Sequence, residues 1–275
     1  MQAPATPASP SFVELFNMSE LDKIFQDGQH DLPGCRQFLT DAREDLYQAF
    51  REGRDIQELV RARSWLVDQV LIRFWESMLP DTEAALVAVG GYGRSELLPG
   101  SDIDLMLLLE EQEDKKTGES LNAFLLALWD IGLEVGHSVR TLDDCADQAA
   151  ADITVATNLM EARLLTGPEA LFQAMRQRTG PDRIWPSKAF FSAKLREQQK
   201  RFERMDDAVH NLEPNVKEGS GGLRDAQMIG WVAKRHFGCE SMHELLVNHH
   251  FLTEEEVDLL RHGEELLWKI RFALH

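Results

Sequence analysis

Apolar residues recur along this chain in two patterns. One has the three-to-four-residue spacing of helices and the other is nearly continuous, so helices surround a few short, covered strands. The clearest helix is "DIQELVRARSWLVDQVLIRFWESML". There Ile56, Leu59, Val60, Val67, Val70, Leu71, Phe74 and Met78 return at helical spacing, and Pro80 ends the run. Before it, "CRQFLTDAREDLYQAFREG" reads as a more polar helix. "AALVAV", 84–89, is a short apolar strand running into Gly90-Gly91. "IDLMLLL", 103–109, is a second strand with no polar side after Asp104, hence covered on both faces. "ESLNAFLLALWDIG" predicts an amphipathic helix with Leu121, Phe124, Leu125 and Leu128 turned inward, and "LEVGHSVRT", 133–141, a third strand. "DITVATNLMEARLLTG" fits helix and strand alike. From about Pro186 onward the spacing is helical, interrupted by one loop, "HNLEPNVKEGSGGLRD". The sequence stops within that helical pattern, at "LLWKIRFALH", which reads as a helical domain cut short. There is no internal repeat.

Composition narrows the classes. A chain of 275 residues, 43% hydrophobic, holds one large domain or two modest ones with a substantial core. Its longest apolar run, "AFLLALW", falls far short of the ~18 residues a membrane span needs. The start, "MQAPATPASP", lacks the basic and apolar segments of a secretory signal and reads as a disordered tail. Lys and Arg number 29 against 47 Asp and Glu, a net charge of −18, which opposes nonspecific binding to nucleic acid or anionic membrane. A nucleotide bridged by a divalent ion remains acceptable, because the ion offsets both sides. Cys35, Cys145 and Cys239 are odd in number and lack metal-ligand spacing, so a reduced, cytoplasmic setting is expected.

Candidate chemistry concentrates in "GGYGRSELLPGSDIDLMLLL", 90–109. Side chains at i and i+2 of a strand share a face, so Asp102 and Asp104 project together, roughly 7 Å apart at their Cα atoms. Two carboxylates so close repel unless a cation lies between them, and magnesium, which is hard and normally shared with substrate phosphates, suits the pair. Upstream, Gly90, Gly91 and Gly93 let the backbone approach a phosphate, "YGRSELL" can open a short helix, and Arg94 and Ser101 offer side-chain donors. The plainer alternative is that Asp102 merely begins the strand and Asp104 guards an edge. The glycine turn ahead and the apolar strand behind favour a phosphate cradle beside a metal site.

Gly90-Gly91 with "SDID" resembles the nucleotidyltransferase superfamily, whose fold includes DNA polymerase beta and the aminoglycoside nucleotidyltransferases. "VAVGGYGRSELLPGSDIDL" is similar to one branch, the bacterial PII uridylyltransferases. So are "LEVGHSVRTLDDCADQAAADITVATNLMEARLLTG" and "NLEPNVKEGSGGLRDAQ". Ser95 and Ser220 depart from the branch, standing where Gly and Pro are expected. The resemblance implies an α+β fold, a small polymerase-beta-like mixed sheet with helices, flanked by helical regions. The corresponding division is a tail and helical arm over 1–62, a nucleotidyltransferase core over 63–180 and a helical domain over 181–275. It implies magnesium-dependent transfer of UMP from UTP to a tyrosine hydroxyl of the PII nitrogen-signalling protein, releasing pyrophosphate. Asp102 and Asp104 would bind magnesium, and Gly90, Gly91 and Ser101 the triphosphate. Neither nucleic acid nor membrane is an expected partner.

A third carboxylate is common in that superfamily on the next core strand, and here Glu134 is the nearest acid; it is a candidate ligand or a plain strand-end charge. Without it, proton removal falls to metal, water or His137, itself a candidate packed histidine. Lys217 and Arg224 in "EPNVKEGSGGLRD" read as nucleotide or PII contacts, or as parts of a helix–helix linker. Arg196, Lys200 and Arg204 share a helical face that reads as solvated surface or as a phosphate-facing side. His30-Asp31 lacks the partner histidine of a phosphohydrolase, and His249-His250 read as a loop. The uridylyl-removing HD domain and glutamine-sensing ACT domains of the branch do not fit these residues, so the chain alone is expected neither to remove UMP nor to sense glutamine. Two other classes stay open: a nucleotidyltransferase with another nucleotide or acceptor, and a non-catalytic nucleotide- or PII-binding module.

Overall fold

The structure, a computed structural model, describes residues 10–26, 30–112, 115–206, 215–238 and 251–275. The expected tail, Cys239 and His249-His250 lie outside the described residues. Along the chain the elements are α1 (Pro10–Leu15), α2 (Met18–Ile24), α3 (Leu32–Arg51), α4 (Ile56–Met78), β1 (Ala85–Ala88), α5 (Gly90–Gly93), β2 (Ile103–Leu109) and α6 (Lys115–Asp130). There follow β3 (Val135–Thr141), α7 (Leu142–Ala151), α8 (Ile153–Met160), β4 (Arg163–Thr166), α9 (Glu169–Thr179), α10 (Ser187–Asp206), α11 (Leu223–Phe237) and α12 (Glu254–Leu274). Two compact units result. One runs to Ala146 and takes in Glu161–Arg178; the other holds Asp147–Met160 and the described residues from Thr179 onward.

The first unit carries a four-stranded mixed sheet in the order β3-β2-β1-β4. β1 is antiparallel to both β2 and β4, whereas β2 and β3 run parallel from Ile103↔Val135 to Leu109↔Thr141. The expected mixed sheet with helices is therefore present, an α+β arrangement. Strand β2 is buried along its length except at Asp104, as its unbroken apolar run required. Strand β3 lies at the sheet edge, which is why a segment as polar as "VGHSVRT" is tolerated there. The ambiguous "DITVATNLMEARLLTG" divides into helix α8 and strand β4, and β4 has only two apolar residues, too few for periodicity to show it.

Helix α4 supplies the floor. Asp55 caps it by accepting from the Glu58 amide at 3.0 Å, and Ile56, Leu59, Val60, Val67, Val70, Leu71 and Phe74 are buried as predicted, Met78 only partly. Around it stack aromatic pairs, Phe16 on Trp65 and Trp75 edge-on to Phe124 of α6 at 5.2 Å. Two polar residues of α4, Ser64 and Asp68, are also fully buried. Hydrophobic spacing gives no reason for them; the site does.

The second unit is helical, with α10 against α11, α11 against α12 and α8 against α10. Arg196, Lys200 and Arg204 lie exposed on α10, an arrangement that both readings of the stripe allow. Its buried cations were not foreseen. Lys194 sits over the Trp231 ring at 4.4 Å and pairs with Glu197, while Arg201 pairs with Asp225. Helix α12 opens with a capping box in which Thr253 and Glu256 satisfy each other's amides.

Candidate active site

The glycine turn joins β1 to the loop before β2. Val89 donates its amide to the Asp104 carbonyl at 3.0 Å, so the turn starts directly beside the carboxylate strand. The expected helix over "YGRSELL" is replaced by one turn, α5, over Gly90–Gly93. It ends because Ser95 adopts φ +61°, in the left-handed region, at the position where glycine is expected in the branch the sequence resembles. Gly90 is itself left-handed at φ +59°. A Cβ on Gly93 would lie 2.1 Å from the Glu161 carbonyl oxygen, so no side chain fits. Gly91 has neither constraint, its nearest obstacle being the Glu96 carbonyl at an ordinary 3.6 Å. The fold does not require glycine there; a close-approaching ligand would.

Asp102 is exposed and Asp104 half-buried at the head of β2, with Ser101 half-buried before them. Among the described residues Asp102 has no ion-pair partner. In the parallel register Gly136 of β3 stands opposite Asp104, and a Cβ there would sit 3.1 Å from the Asp104 Oδ1. The neighbouring strand thus leaves room at that carboxylate. Two acids at the entry to one short strand, Asp102 without an ion-pair partner among the described residues and Asp104 with space beside it, fit a magnesium ion, which completes its shell with water and phosphate. Bound there, the ion would neutralise the phosphates it bridges.

Glu134 is the candidate third acid. Among the described residues no three His, Cys, Asp or Glu side chains gather as a metal-binding group. Glu134 precedes β3 and pairs through its carbonyl with the Ile103 amide at 2.8 Å; its exposed side chain lines an open cleft of about 640 Å³ with Asp102, Trp129, Leu133, Val135 and Gly136. It borders the pair without closing a cage, since the polypeptide reaches β3 one residue after it. His137 is exposed and meets Trp129 edge-on at 5.8 Å, at the edge of the sheet.

Arg94, a candidate phosphate donor, has carboxylate partners within the fold. Its guanidinium is held by Glu96 at 2.7 Å and Glu161 at 3.3 Å, with the side chain only 15% exposed. Burial would lower its pKa, but the two carboxylates outweigh that and raise it. The guanidinium is thus tied to two carboxylates beside the glycine turn. Lys217 and Arg224 belong to the second unit. Lys217 is exposed; Arg224 pairs with Glu218 at 3.2 Å and lies over the Trp231 ring. Sequence reading missed Asp68, Tyr92 and Arg163, which meet beneath the turn. Tyr92 donates its hydroxyl to Asp68 at 2.6 Å, and Arg163 donates to both oxygens of the same carboxylate at 2.6 and 3.0 Å. Burial, then the Asp68 charge, pushes the Tyr92 hydroxyl well above its ordinary range. Arg163 is raised because Asp68 overcomes the lowering effect of burial. A buried Asp within a helix was the one available signal.

A mixed sheet, a glycine turn and a carboxylate pair at the head of the adjoining strand define the nucleotidyltransferase fold, and this chain has it. A nucleotidyltransferase family designated DUF294 matches residues 40–138, and the family described as GlnD PII-uridylyltransferase matches residues 189–275. Over 264 residues, 95% of its length, the chain is 50% identical to a bifunctional uridylyltransferase/uridylyl-removing enzyme of Azotobacter vinelandii. Identity to the proteins of that name from Stutzerimonas stutzeri and Pseudomonas aeruginosa is 47% and 46% over the same share. The chain spans 29% of the length of each of these relatives. The resemblance read from the sequence thus extends over nearly the whole chain.

Proposed function

We propose that this chain is the nucleotidyl-transferring part of a PII uridylyltransferase, moving UMP from UTP to a tyrosine hydroxyl of PII with magnesium and releasing pyrophosphate. The observation that carries the reading is the juxtaposition of Gly90-Gly91 with the Asp102/Asp104 pair, tied by the Val89–Asp104 bond. In this reading Gly90, Gly91 and Ser101 receive the triphosphate, and Asp102 and Asp104 hold the metal. The tyrosine oxygen bonds to the α-phosphorus as the bond to the bridging oxygen breaks, so pyrophosphate leaves and the phenolic proton passes to a base. Glu134, exposed in the cleft beside Asp102, is positioned for that proton. Lys217 is assigned a substrate contact from its exposed loop, and Arg224 the support of that loop through Glu218. The relatives' printed activity and the absence, among the described residues, of any helix long and apolar enough to cross a membrane support a partner in solution. The buried thiols support a reduced, cytoplasmic setting.

The test is incubation with UTP, magnesium and PII, followed by weighing PII. One uridylyl group per PII subunit is expected. Asp102→Asn with Asp104→Asn should abolish the gain and keep the circular dichroism of the parent, because neither side chain is buried. Undiminished transfer by that double variant sinks the proposal. ATP accepted in preference to UTP would redirect it to another nucleotide.

A further inference from the structure

Helix α4 places Ser64 and Asp68 one turn apart, both fully buried, and both act on the segment that follows β1. Ser64 accepts from the Leu97 amide at 3.0 Å. Asp68 is the more telling, because an unpaired carboxylate in a core is strongly destabilising and a paired one rarely improves on apolar packing. Its partners are Tyr92, inside the glycine turn, and Arg163, the first residue of β4. Arg163 does more than neutralise it. With its fork on Asp68, the guanidinium also donates Nε–H to the Gly93 carbonyl and Nη2–H to the Tyr92 carbonyl, each at 3.2 Å. Those carbonyls lie at the end of a one-turn helix, where the Tyr92 oxygen also accepts from the Ser95 amide at 3.0 Å. Each peptide is planar, so fixing the carbonyls of Tyr92 and Gly93 also fixes the amides of Gly93 and Arg94. These amides close the turn onto Val89 and Gly90 at 3.0 and 3.3 Å.

We infer that Asp68 and Arg163 are positioning residues, a buried clamp with Tyr92 that holds the glycine turn in the shape that receives a nucleoside triphosphate. The inference rests on the nucleotide reading of that turn. Its specific content is geometric. A lysine at 163 keeps the charge but offers neither the planar fork nor donors aimed at two successive carbonyls. The same stretch of chain grips the turn a second time, through Glu161 on Arg94 and through the close passage of the Glu161 carbonyl over Gly93. Turn and β4 entry are therefore tied at several points, and Gly90 and Gly91 themselves add no side chain to the turn.

The experiment compares the parent chain with Arg163→Lys and the milder Tyr92→Phe, which removes only the hydroxyl bond to Asp68. Amide hydrogen exchange over residues 89–95 and the calorimetric affinity for magnesium–UTP are measured below the unfolding temperature, with KM and kcat where transfer is seen. Arg163→Lys should speed exchange in 89–95 and weaken magnesium–UTP by ~10-fold or more, with exchange in α3 unchanged. KM for UTP should rise while KM for PII holds, a split that a general loss of stability would not give. Tyr92→Phe should shift both readings in the same direction by less, and it decides the matter if the lysine variant fails to fold. Parent-like exchange and affinity in a folded variant overturn the clamp. Failure of the nucleotide reading looks different: the parent chain itself takes up no magnesium–UTP, and the purpose assigned to the clamp falls with it.

Discussion

Ser95 holds φ at +61°, a conformation that costs an L-residue about 1 kcal/mol and glycine almost nothing. Its substitution by glycine should therefore raise stability by up to about 1 kcal/mol, read as a shift in the urea midpoint at constant m-value. Gly136 poses the opposite case. An alanine methyl there would crowd the Asp104 Oδ1 at 3.1 Å, and the half-buried carboxylate can rotate to relieve it. Gly136→Ala should thus leave the melting temperature nearly unchanged while weakening magnesium–UTP uptake several-fold, about 1 kcal/mol by calorimetry. An unaffected affinity would show that Asp104 does not need that space. Both effects are set by single atoms; Ser95 stands out in the sequence only as a departure from the branch it resembles, and Gly136 not at all.

At the scale of elements, α4 joins two tasks, core and support. Its apolar positions follow helical spacing and were legible; Ser64 and Asp68 occupy that buried side for the sake of segments reached only in three dimensions. Ser64→Ala strands the buried Leu97 amide, a loss of about 1–3 kcal/mol expected in chemical denaturation. The loop from Leu97 to Ser101 should lose protection from hydrogen exchange first. Strand β4 was hidden for a related reason: its four residues are defined by pairing with β1, not by any rhythm of their own. The stripe on α10 is exposed, which both of its readings allow, whereas Lys194 and Arg201 needed the Trp231 ring and Asp225 to explain their burial.

Across the whole molecule, the described thiols belong to the core and not to chemistry. Burial raises Cys35 to about 12 and Cys145 to about 11 from an ordinary 9.0. Native protein should therefore leave both unmodified by a thiol reagent at neutral pH, and denaturation should expose them. The sign for stability follows. Below pH 9 both states hold the protons and the contribution is complete; as pH climbs from 9 toward 11 the unfolded chain releases protons that the folded chain keeps, so stability falls. Urea midpoints at about pH 8 and about pH 10 measure the loss, and replacing both cysteines with alanine should remove that component. What the sequence determined by itself was whatever local spacing encodes: the inward side of α4, the covered strand β2, the glycine turn and two acids at the entry to β2. Tertiary structure decided which distant residues complete the site. Arg163 meets Asp68 across 95 positions, Gly136 faces Asp104 through strand register, and Arg94 pairs with Glu161. Such partners are chosen by the packing of elements far apart in the chain, and that packing leaves no periodic trace in the residues themselves.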